Sequence, residues 1–358
     1  MSGHDIIVIG ASAGGVEALS TLVGALPADL PAAIFVVMHI PAQSPSMMPD
    51  ILARAGDLPA IQPTDGMAIA HGHISIAPPD HHMLLEPGRI RIVHGPRENR
   101  HRPAVDPLFR SAARSYGPRV VGVIVTGTLD DGTAGLLAVK QRGGVAIVQD
   151  PEEALYPGMP RSALENVLVD HCLPLAEIAP LLVRLAHAPV RAVESDASPV
   201  PNEMKQEISV TTMDLAAMIG NDHPGTPSAF SCPECGGVLW ELHDGELSRF
   251  RCRTGHAYSP ESMVAGQSDT LEEALWVALK TLEESLSLSR RLGRQARERG
   301  QPLVAERFFE RARDAEQRIM LIRQVLIGDT PLATDISGPN VSAAHGSPAH
   351  RRGALDDD

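Results

Sequence analysis

The chain has 358 residues, of which 43% are hydrophobic and only 3% aromatic, so it can form about two domains with aliphatic cores. Its formal net charge of -13 at pH 7 argues against a general nucleic-acid-binding protein, because phosphate contacts need a clustered basic surface. No apolar stretch approaches the roughly 20 residues that a membrane span requires, and the N-terminus lacks the pattern of a secretion signal. We therefore expect a cytoplasmic protein.

Strand-like runs alternate with helical patterns through the first half of the sequence. The strands are predicted at residues 5–9, 33–38, 119–125 and 144–148, and the helices at residues 15–26, 45–55, 105–116 and 133–142. This alternation is typical of an α/β fold with a doubly wound, mostly parallel sheet. Two period-two runs, at residues 73–79 and 89–93, lie around Pro-Gly turns and predict an antiparallel edge hairpin. A helix near residues 175–187 closes the unit.

The first strand runs into a glycine-rich turn, residues 10–15, that carries Ser12. A serine in such a turn is held beside the first free N–H groups of the following helix. Serine alone is a poor nucleophile, so a catalytic interpretation requires a base and a group that orients the base. His39 follows the second strand, and Asp130 and Asp131 follow a later one. All lie at carboxyl ends of strands, where open α/β sheets build their sites.

Three other interpretations of the Ser12 turn compete with this one. A dinucleotide-binding turn requires G-x-G-x-x-G and an acidic residue about 20 positions later, but Ser12 replaces the second glycine and His39 stands near the place of the acid. An α/β-hydrolase elbow also reads G-x-S-x-G, yet its serine follows several strands and its partners come as acid and then histidine. A purely structural turn is the third alternative. The order Ser, His, Asp favours a different serine-hydrolase fold.

Five short motifs follow one another along the first half of the chain. They are Gly10-Ala11-Ser12-x-Gly14-Gly15, Met38-His39-Ile40-Pro41, Arg102-Pro103-x-Val105-Asp106-x-Leu108-Phe109, Thr126-Gly127-x-x-x-Asp131-Gly132 and Gly158-Met159-Pro160-Arg161. In this order they resemble the catalytic domain of the chemotaxis protein-glutamate methylesterases of the CheB type. The resemblance implies a serine esterase that releases methanol from glutamate γ-methyl esters of chemoreceptors, deamidates receptor glutamines at the same site and uses no cofactor.

The resemblance also implies roles for individual residues. Ser12 would be the nucleophile, His39 the general base and Asp131 the carboxylate that orients the histidine. Asp130 is the alternative residue for this role. One of the two aspartates would instead cap the helix that begins near Thr133.

The resemblance assigns the oxyanion site to the backbone N–H groups of Ala13 and Thr128. The loop that holds Thr128 departs from the family's Thr-Gly-Met-Gly, because Thr128 and Leu129 stand in its third and fourth positions. Loss of a glycine restricts the conformations open to the loop. The departure favours an alternative function, a catalytically weak module that binds a receptor or a receptor methyltransferase.

Three of the four cysteines fall within one short segment, a distribution more typical of a metal site than of a disulfide framework. The patterns Cys232-x-x-Cys235 and Cys252-x-x-x-His256 lie on two turns joined by strands predicted at residues 238–242 and 248–251. Three thiolates and one imidazole complete a tetrahedral set, so we expect a structural zinc ribbon. A redox pair and a metal-free relic are the alternatives.

The composition divides the chain into five parts. They are a catalytic domain (1–188), a flexible linker rich in Pro, Ser and Asp (189–228), a Cys3His zinc-ribbon module (229–260), an antiparallel helical hairpin (261–328) and a disordered tail (329–358). The pattern Thr270-x-x-Glu273 predicts a capping box for the first helix of the hairpin.

This division has consequences for regulation and autonomy. The first catalytic strand begins within a few residues of the start of the sequence, so we expect no receiver domain in cis and regulation by another polypeptide or by the C-terminal unit. All three predicted catalytic groups precede residue 132. Residues 1–190 are therefore predicted to fold and to keep the esterase chemistry by themselves.

Overall fold

A computed structural model describes residues 3–43, 45–190, 202–213 and 225–327 of the chain. The chain divides into two compact units, residues 1–270 and the residues from Leu271 onward. The predicted tail, 329–358, lies outside the described residues. Within the described ranges, no helix is both long and apolar enough to cross a bilayer.

A seven-stranded parallel sheet forms the centre of the first unit, as the alternation of strands and helices predicts. Its strands are β1 (Ile6–Ala11), β2 (Ala33–Met38), β3 (Ala60–Ile61), β4 (His73–Ile76), β7 (Val120–Ile124), β8 (Val145–Gln149) and β9 (His171–Leu173). The strand order is β3-β4-β2-β1-β7-β8-β9, and every pairing is parallel.

Helices cover both faces of this sheet. They are α1 (Gly15–Gly24), α2 (Met48–Ala55), α3 (Val105–Tyr116), α4 (Thr133–Gln141), α5 (Gly158–Asn166) and α6 (Leu175–His187). Successive side chains of a strand point to opposite faces. Accordingly, Ile6 and Val8 of β1 join one buried cluster with Phe109 of α3, whereas Ile7 joins a second cluster with Leu19 of α1. The doubly wound architecture is confirmed.

The position of β1 in the sheet determines where a site can form. This strand pairs with β2 on one side and with β7 on the other, so the chain leaves the centre of the sheet in opposite directions. A crevice opens at the carboxyl end of such a strand. Residues that follow β1, β2 and β7 therefore converge there.

The predicted edge hairpin is wrong in one of its strands. Residues 73–76 form β4, which pairs in parallel with β2, and the hairpin consists of β5 (His82–Glu86) and β6 (Arg89–Val93). The period-two pattern misleads because Ser75 is polar but buried between Ile74 and Ile76. The strand is thus covered on both faces, as central parallel strands are.

The predicted linker also differs from the structure. Residues 202–211 form helix α7 (Asn202–Thr211), in which Met204 and Ile208 are buried in the same cluster as Phe109. This spacing of four residues places both side chains on one helix face. Composition alone misleads here because this short helix lies among polar residues. The two stretches at 191–201 and 214–224 lie outside the described residues.

The cysteine segment forms a four-stranded antiparallel sheet in the order β10-β11-β12-β13. Its strands are β10 (Thr226–Ser231), β11 (Val238–Asp244), β12 (Leu247–Cys252) and β13 (Ala257–Tyr258). The predicted module, 229–260, begins earlier in the structure, because β10 starts at Thr226, and it ends before the helix that starts at Pro260. We refer to residues 225–259 as the Cys3His module. The module belongs to the first compact unit.

Two long helices follow, α8 (Pro260–Glu298) and α9 (Pro302–Ile327). The Thr270 capping box is wrong, because the Thr270 hydroxyl lies within α8 and donates to Gly266 O at 2.9 Å. The cap is about three helical turns earlier, where Ser259 Oγ accepts the Ser262 N–H at 3.0 Å and Ser262 Oγ accepts the Ser259 N–H at 2.9 Å. Such a reciprocal pair, followed by proline in the first turn, starts a helix.

The second unit is an antiparallel helical hairpin, as predicted. Arg290 pairs with Glu316 at 2.9 Å and Arg323 pairs with Glu283 at 2.6 Å, so residue numbers fall along α9 as they rise along α8. Small buried side chains on α9, Ala312 among them, allow the two helices to pack closely.

Candidate active site

Ser12 and His39 lie within hydrogen-bonding distance at the carboxyl ends of β1 and β2. Ser12 Oγ is 3.0 Å from His39 Nδ1. Because Ala11 pairs with Met38 across the two strands, the residues that follow them emerge side by side. The His39 side chain is only 7% exposed, so the imidazole is largely shielded from water. The hydroxyl proton of Ser12 can pass directly to this nitrogen.

Asp131 contacts the other nitrogen of the same ring. His39 Nε2 lies 2.7 Å from Asp131 Oδ2, which fixes the tautomer with Nδ1 free to accept the serine proton. The N–H groups of Val105 and Asp106, in the first turn of α3, also donate to Asp131 at 2.7 and 3.3 Å. Burial alone would raise the pKa of Asp131, but hydrogen bonds from His39, from the Val105 N–H and from the Asn99 side chain hold the pKa below its usual value.

The Ser12 turn depends on glycines at two close approaches. Gly14 has a φ of 73°, a conformation that glycine adopts without strain, and it allows α1 to begin at Gly15. At Gly10, a β-carbon would lie 2.4 Å from Val105 Cγ1. The absence of this carbon lets the start of α3, with its donors to Asp131, pack directly on β1.

Each predicted oxyanion donor belongs to a peptide that is anchored through its carbonyl. The Gly15 N–H donates to Ser12 O at 2.9 Å, and this carbonyl shares a peptide with the Ala13 N–H. The Met159 N–H donates to Gly127 O at 2.9 Å, and that carbonyl shares a peptide with the Thr128 N–H. Anchored peptides of this kind need no reorganisation when charge develops on a nearby oxygen.

The loop that carries Thr128 lies against the serine. A β-carbon at Gly127 would be 3.0 Å from Ser12 Cβ. Leu129, where the family motif has glycine, has a φ of 58°. This left-handed backbone is unfavourable for a side chain such as leucine, so the sequence departure corresponds to local strain.

Asp130 faces away from the imidazole. Its Oδ1 accepts the hydroxyl of Ser259, in the Cys3His module, at 2.6 Å. Burial raises the pKa of Asp130 to about 8. The two neighbouring aspartates thus have different partners, and the geometry brings Asp131, not Asp130, to His39.

Two residues near His39 were not predicted from the sequence. Asn99 donates from Nδ2 to Asp131 Oδ1 at 2.9 Å and to Asp106 Oδ2 at 2.8 Å. His101 stacks on His39, with ring centroids 3.6 Å apart. Both lie in a tight turn, where Asn99 has a φ of 49°. Asparagine tolerates this conformation better than most residues. This preference was the one feature of the local sequence that could have indicated the turn.

A buried cluster of charged side chains surrounds this turn. Glu98 accepts from Arg110 of α3 at 2.7 Å and pairs with Arg251 of β12 at 3.2 Å. Glu207 of α7 accepts from Arg249 of β12 at 2.7 Å. Burial would raise the pKa of Glu98, but Arg110 and Arg251 hold it well below its ordinary value. Removing one partner from such a cluster would leave an uncompensated buried charge, which is strongly destabilising.

The four residues predicted as metal ligands come together in the Cys3His module. Their donor atoms, on Cys232, Cys235, Cys252 and His256, all lie within 4.8 Å of one another. The Cys235 and Cys252 sulfurs are 3.7 Å apart, too far for a disulfide. A tetrahedron with metal–sulfur bonds of about 2.3 Å has edges of about 3.8 Å, so this spacing fits a tetrahedral ion.

Further contacts orient the ligand atoms. Glu234 Oε2 lies 3.2 Å from His256 Nε2, while His256 Nδ1 faces the sulfurs at 3.6 Å from Cys252. The Tyr258 hydroxyl lies 3.5 Å from the Cys232 sulfur. A carboxylate on the far nitrogen of a histidine is the usual support for a metal-binding imidazole. The fourth cysteine, Cys172, is exposed on β9.

Comparison with known proteins points to one family for the first unit. The CheB methylesterase family model matches residues 7–182. A crystal structure of the Thermotoga maritima CheB methylesterase catalytic domain is 34% identical and superposes with a TM-score of 0.50, covering 52% of this chain and all of that one.

Curated relatives agree with this match. A protein of Leptospira interrogans, assigned as a protein-glutamate methylesterase/protein-glutamine glutaminase, is 39% identical over 183 residues, which are 51% of this chain and 95% of that protein. A protein-glutamate methylesterase/protein-glutamine glutaminase of Rhizobium johnstonii is 40% identical over 178 residues, or 49% of this chain and 48% of that protein. The chain thus spans nearly all of the first relative and about half of the second.

Proposed function

Because the chain belongs to the CheB methylesterase family, we propose that it hydrolyses glutamate γ-methyl esters on chemoreceptors and releases methanol. The hydrogen-bonded series Ser12, His39 and Asp131 carries this proposal. Its two distances, 3.0 and 2.7 Å, are those of a nucleophile, a base and an orienting carboxylate.

In the first half of the reaction, Ser12 Oγ attacks the ester carbonyl carbon while His39 Nδ1 takes the hydroxyl proton. The resulting oxyanion lies beside the N–H groups of Ala13 and Thr128. Collapse of this intermediate breaks the bond to methoxide, which receives the proton from His39 and leaves as methanol. Asp131 stays ionised and stabilises the imidazolium throughout.

In the second half, His39 removes a proton from water as the water attacks the acyl-enzyme. A second tetrahedral intermediate collapses, the Ser12 oxygen regains its proton, and the glutamate carboxylate departs. A glutamine side chain would follow the same course with ammonia as the leaving group, which is the glutaminase activity. The chemistry uses side chains and backbone N–H groups alone.

The test is methanol release from a methylated chemoreceptor fragment by the full-length protein. Ser12→Ala should reduce the rate to background, while Ser20→Ala, which removes an α1 hydroxyl bonded to Val16 O, should leave it unchanged. Since the Ser12 hydroxyl contributes little packing, the melting temperature should also be nearly unchanged. Wild-type turnover by Ser12→Ala would exclude the assignment.

The alternative is a catalytically weak module that binds a receptor or a receptor methyltransferase. The strained φ of Leu129, 58°, supports this alternative, because it affects the loop that carries an oxyanion donor. Tight binding of receptor fragments without methanol release would favour it. A cytoplasmic receptor region or a receptor methyltransferase is the partner, so we propose that the chain acts in the cytoplasm.

We also propose that the Cys3His module holds a structural zinc ion. Cys232, Cys235, Cys252 and His256 would be its ligands, and a closed set of four leaves no position for substrate. The support is the tetrahedral spacing of the donor atoms and the carboxylate of Glu234 on the far side of His256. The ion would supply folding free energy to a module with a small core.

Elemental analysis of protein purified without chelator tests this site. We expect about one zinc per chain and its loss in Cys235→Ser. Cys172→Ser, which changes the exposed cysteine of β9, is the matched control and should keep the metal. Metal-free wild-type protein would reject the proposal.

A further inference from the structure

The Cys3His module contacts the turn that holds Asp131. The Ala257 N–H donates to Arg97 O at 3.2 Å, and the Asn99 N–H donates to Ala257 O at 2.8 Å. The next contact is through a side chain, because the Ser259 N–H donates to Asn99 Oδ1 at 3.0 Å. The amide of Asn99 is thereby oriented with its Nδ2 toward Asp131.

This contact lies close in sequence to the metal ligands. His256 directly precedes Ala257, and the Tyr258 hydroxyl lies 3.5 Å from the Cys232 sulfur. The segment 256–259 therefore has its first residue in the ligand set and its last residue on Asn99. A change in the ligand set moves the start of a segment whose end is hydrogen-bonded beside the triad.

Two further sets of contacts hold the same surfaces together. Ser259 Oγ donates to Asp130 Oδ1 at 2.6 Å, next to the carboxylate that contacts His39. Arg251 of β12 lies 3.2 Å from Glu98, which directly precedes Asn99. All four side chains are buried. Without the module these side chains would lose the hydrogen bonds and ion pairs that hold the turn and would exchange them for water, so we expect the geometry of the turn to loosen.

We infer that the Cys3His module is a built-in positioning element of the esterase: it holds Asn99, and Asn99 holds Asp131 against His39. This inference rests on the proposed function and adds a means of regulating it. The metal-ligand set of the module does not contact substrate, yet its state would set the rate of ester hydrolysis. Loss of the metal would lower turnover without altering Ser12, His39 or Asp131.

Asn99→Gly in the full-length chain tests the link through Asn99. Glycine keeps the left-handed backbone of this position, where φ is 49°, and removes the side chain with its bonds to Asp131, Asp106 and Ser259. We expect kcat on a methyl-glutamyl peptide to fall about 10²-fold, a loss that displacement of a catalytic group by about 1 Å can cause. KM should hardly change, since Asn99 positions Asp131 and binds no substrate.

Arg100→Gly is the matched control for added flexibility. Arg100 has a φ of 70° in the same turn, and its side chain pairs with Asp269 instead of Asp131. It should keep most of the wild-type kcat. Equal losses in Asn99→Gly and Arg100→Gly would assign the effect to loop flexibility and overturn the inference.

Metal removal tests the rest of the link. Chelation of the wild-type protein should lower kcat by a similar factor, and added zinc should restore it. In Asn99→Gly the contact between the module and Asp131 is already lost. Chelation should therefore lower kcat little further, because both changes act through Asn99. An unchanged wild-type kcat after metal loss, or losses that multiply in the variant, would overturn the inference.

Labelling of Ser12 by a fluorophosphonate separates this inference from the proposed function. The label reports activation of Ser12 by His39 whatever the natural substrate is. If methyl esters are not hydrolysed but labelling slows on chelation and in Asn99→Gly, the substrate assignment fails and the positioning role stands. If esters are hydrolysed but neither chelation nor Asn99→Gly changes the rate of labelling, the positioning role is wrong and the proposed function stands.

Discussion

His101 stacks on His39, with ring centroids 3.6 Å apart and ring planes 11° from parallel. Burial, and then the charge of His39, lowers the pKa of His101 to about 3. His101 therefore stays neutral near pH 7 and does not compete with His39 for the serine proton. From the stacking we predict that His101 fixes the plane of the imidazole.

The first prediction concerns this stacked pair. His101→Ala should lower kcat roughly 10- to 100-fold, because the His39 ring gains freedom to rotate away from Ser12. His101→Phe keeps a flat ring in the same place and should recover most of the rate. Steady-state kinetics on a methyl-glutamyl peptide measure both. If the alanine and phenylalanine variants were equally impaired, His101 would act through its nitrogens and not through stacking.

The second prediction separates the two adjacent aspartates. Asp131→Asn should reduce kcat by about 10⁴-fold, since an amide allows the wrong tautomer of His39. Asp130→Asn should cost far less, because the Asp130 carboxyl contacts Ser259 instead of the imidazole. Both rates should be measured at saturating substrate. The reverse ranking would transfer the orienting role to Asp130.

The third prediction is a pH dependence of stability that arises from Asp130. Burial raises its pKa from 3.8 to about 8, so between these values the folded state holds a proton that the unfolded state releases. Its contribution to the free energy of unfolding is therefore present at low pH and is lost as pH rises through this window. Asp130→Asn should gain stability relative to wild type by up to about 1.4 kcal/mol for each pH unit.

Urea unfolding at about pH 5 and about pH 8 measures this difference. Asp29→Asn changes an exposed carboxylate and serves as the control. A constant difference between Asp130→Asn and wild type at the two pH values would show that Asp130 does not carry a raised pKa.

The sequence predicted the triad for a topological reason. Ser12, His39 and Asp131 each follow a strand of one parallel sheet, and such strands present their carboxyl ends at the same edge. Asn99 and His101 were missed because they lie in a tight turn without a periodic pattern. Their roles come from contacts with Asp131 and His39, which no local rule reveals.

Errors in the predicted domain organisation have a related cause. Thr270-x-x-Glu273 satisfies the capping-box pattern and Ser259-x-x-Ser262 does not, yet tertiary contacts start the helix after Ser259. Ser259 is held at the end of β13 by Asn99 and Asp130, so the helix begins there. Tertiary contacts also explain why the linker prediction fails at α7. Met204 and Ile208 pack into a core formed by residues that are distant in the sequence.

The fourth prediction tests the strain at Leu129, whose φ is 58°. Leu129→Gly should be more stable than Leu129→Ala by about 1 kcal/mol, because both variants remove the side-chain contacts but only glycine relieves the left-handed backbone. Thermal unfolding gives the comparison. If strain also limits the oxyanion loop, kcat should rise in Leu129→Gly and fall or stay level in Leu129→Ala, which would argue against a vestigial esterase.

The last prediction reverses an expectation from the sequence, that residues 1–190 keep full esterase activity alone. The parallel sheet and helices α1 to α6 lie within this range, so the truncated protein should fold. It lacks Arg251 and Ser259, however, which contact Glu98 and Asn99 beside the triad.

Without these partners the turn that holds Asp131 becomes hydrated and mobile. We therefore expect kcat of the truncated protein on a small methyl-glutamyl peptide to be at least about tenfold below that of the full-length chain, with KM nearly unchanged. Circular dichroism before the assay confirms folding. A folded truncated protein with full-length kcat would show that the catalytic domain positions Asp131 by itself, and the contacts of the Cys3His module would then be structural only.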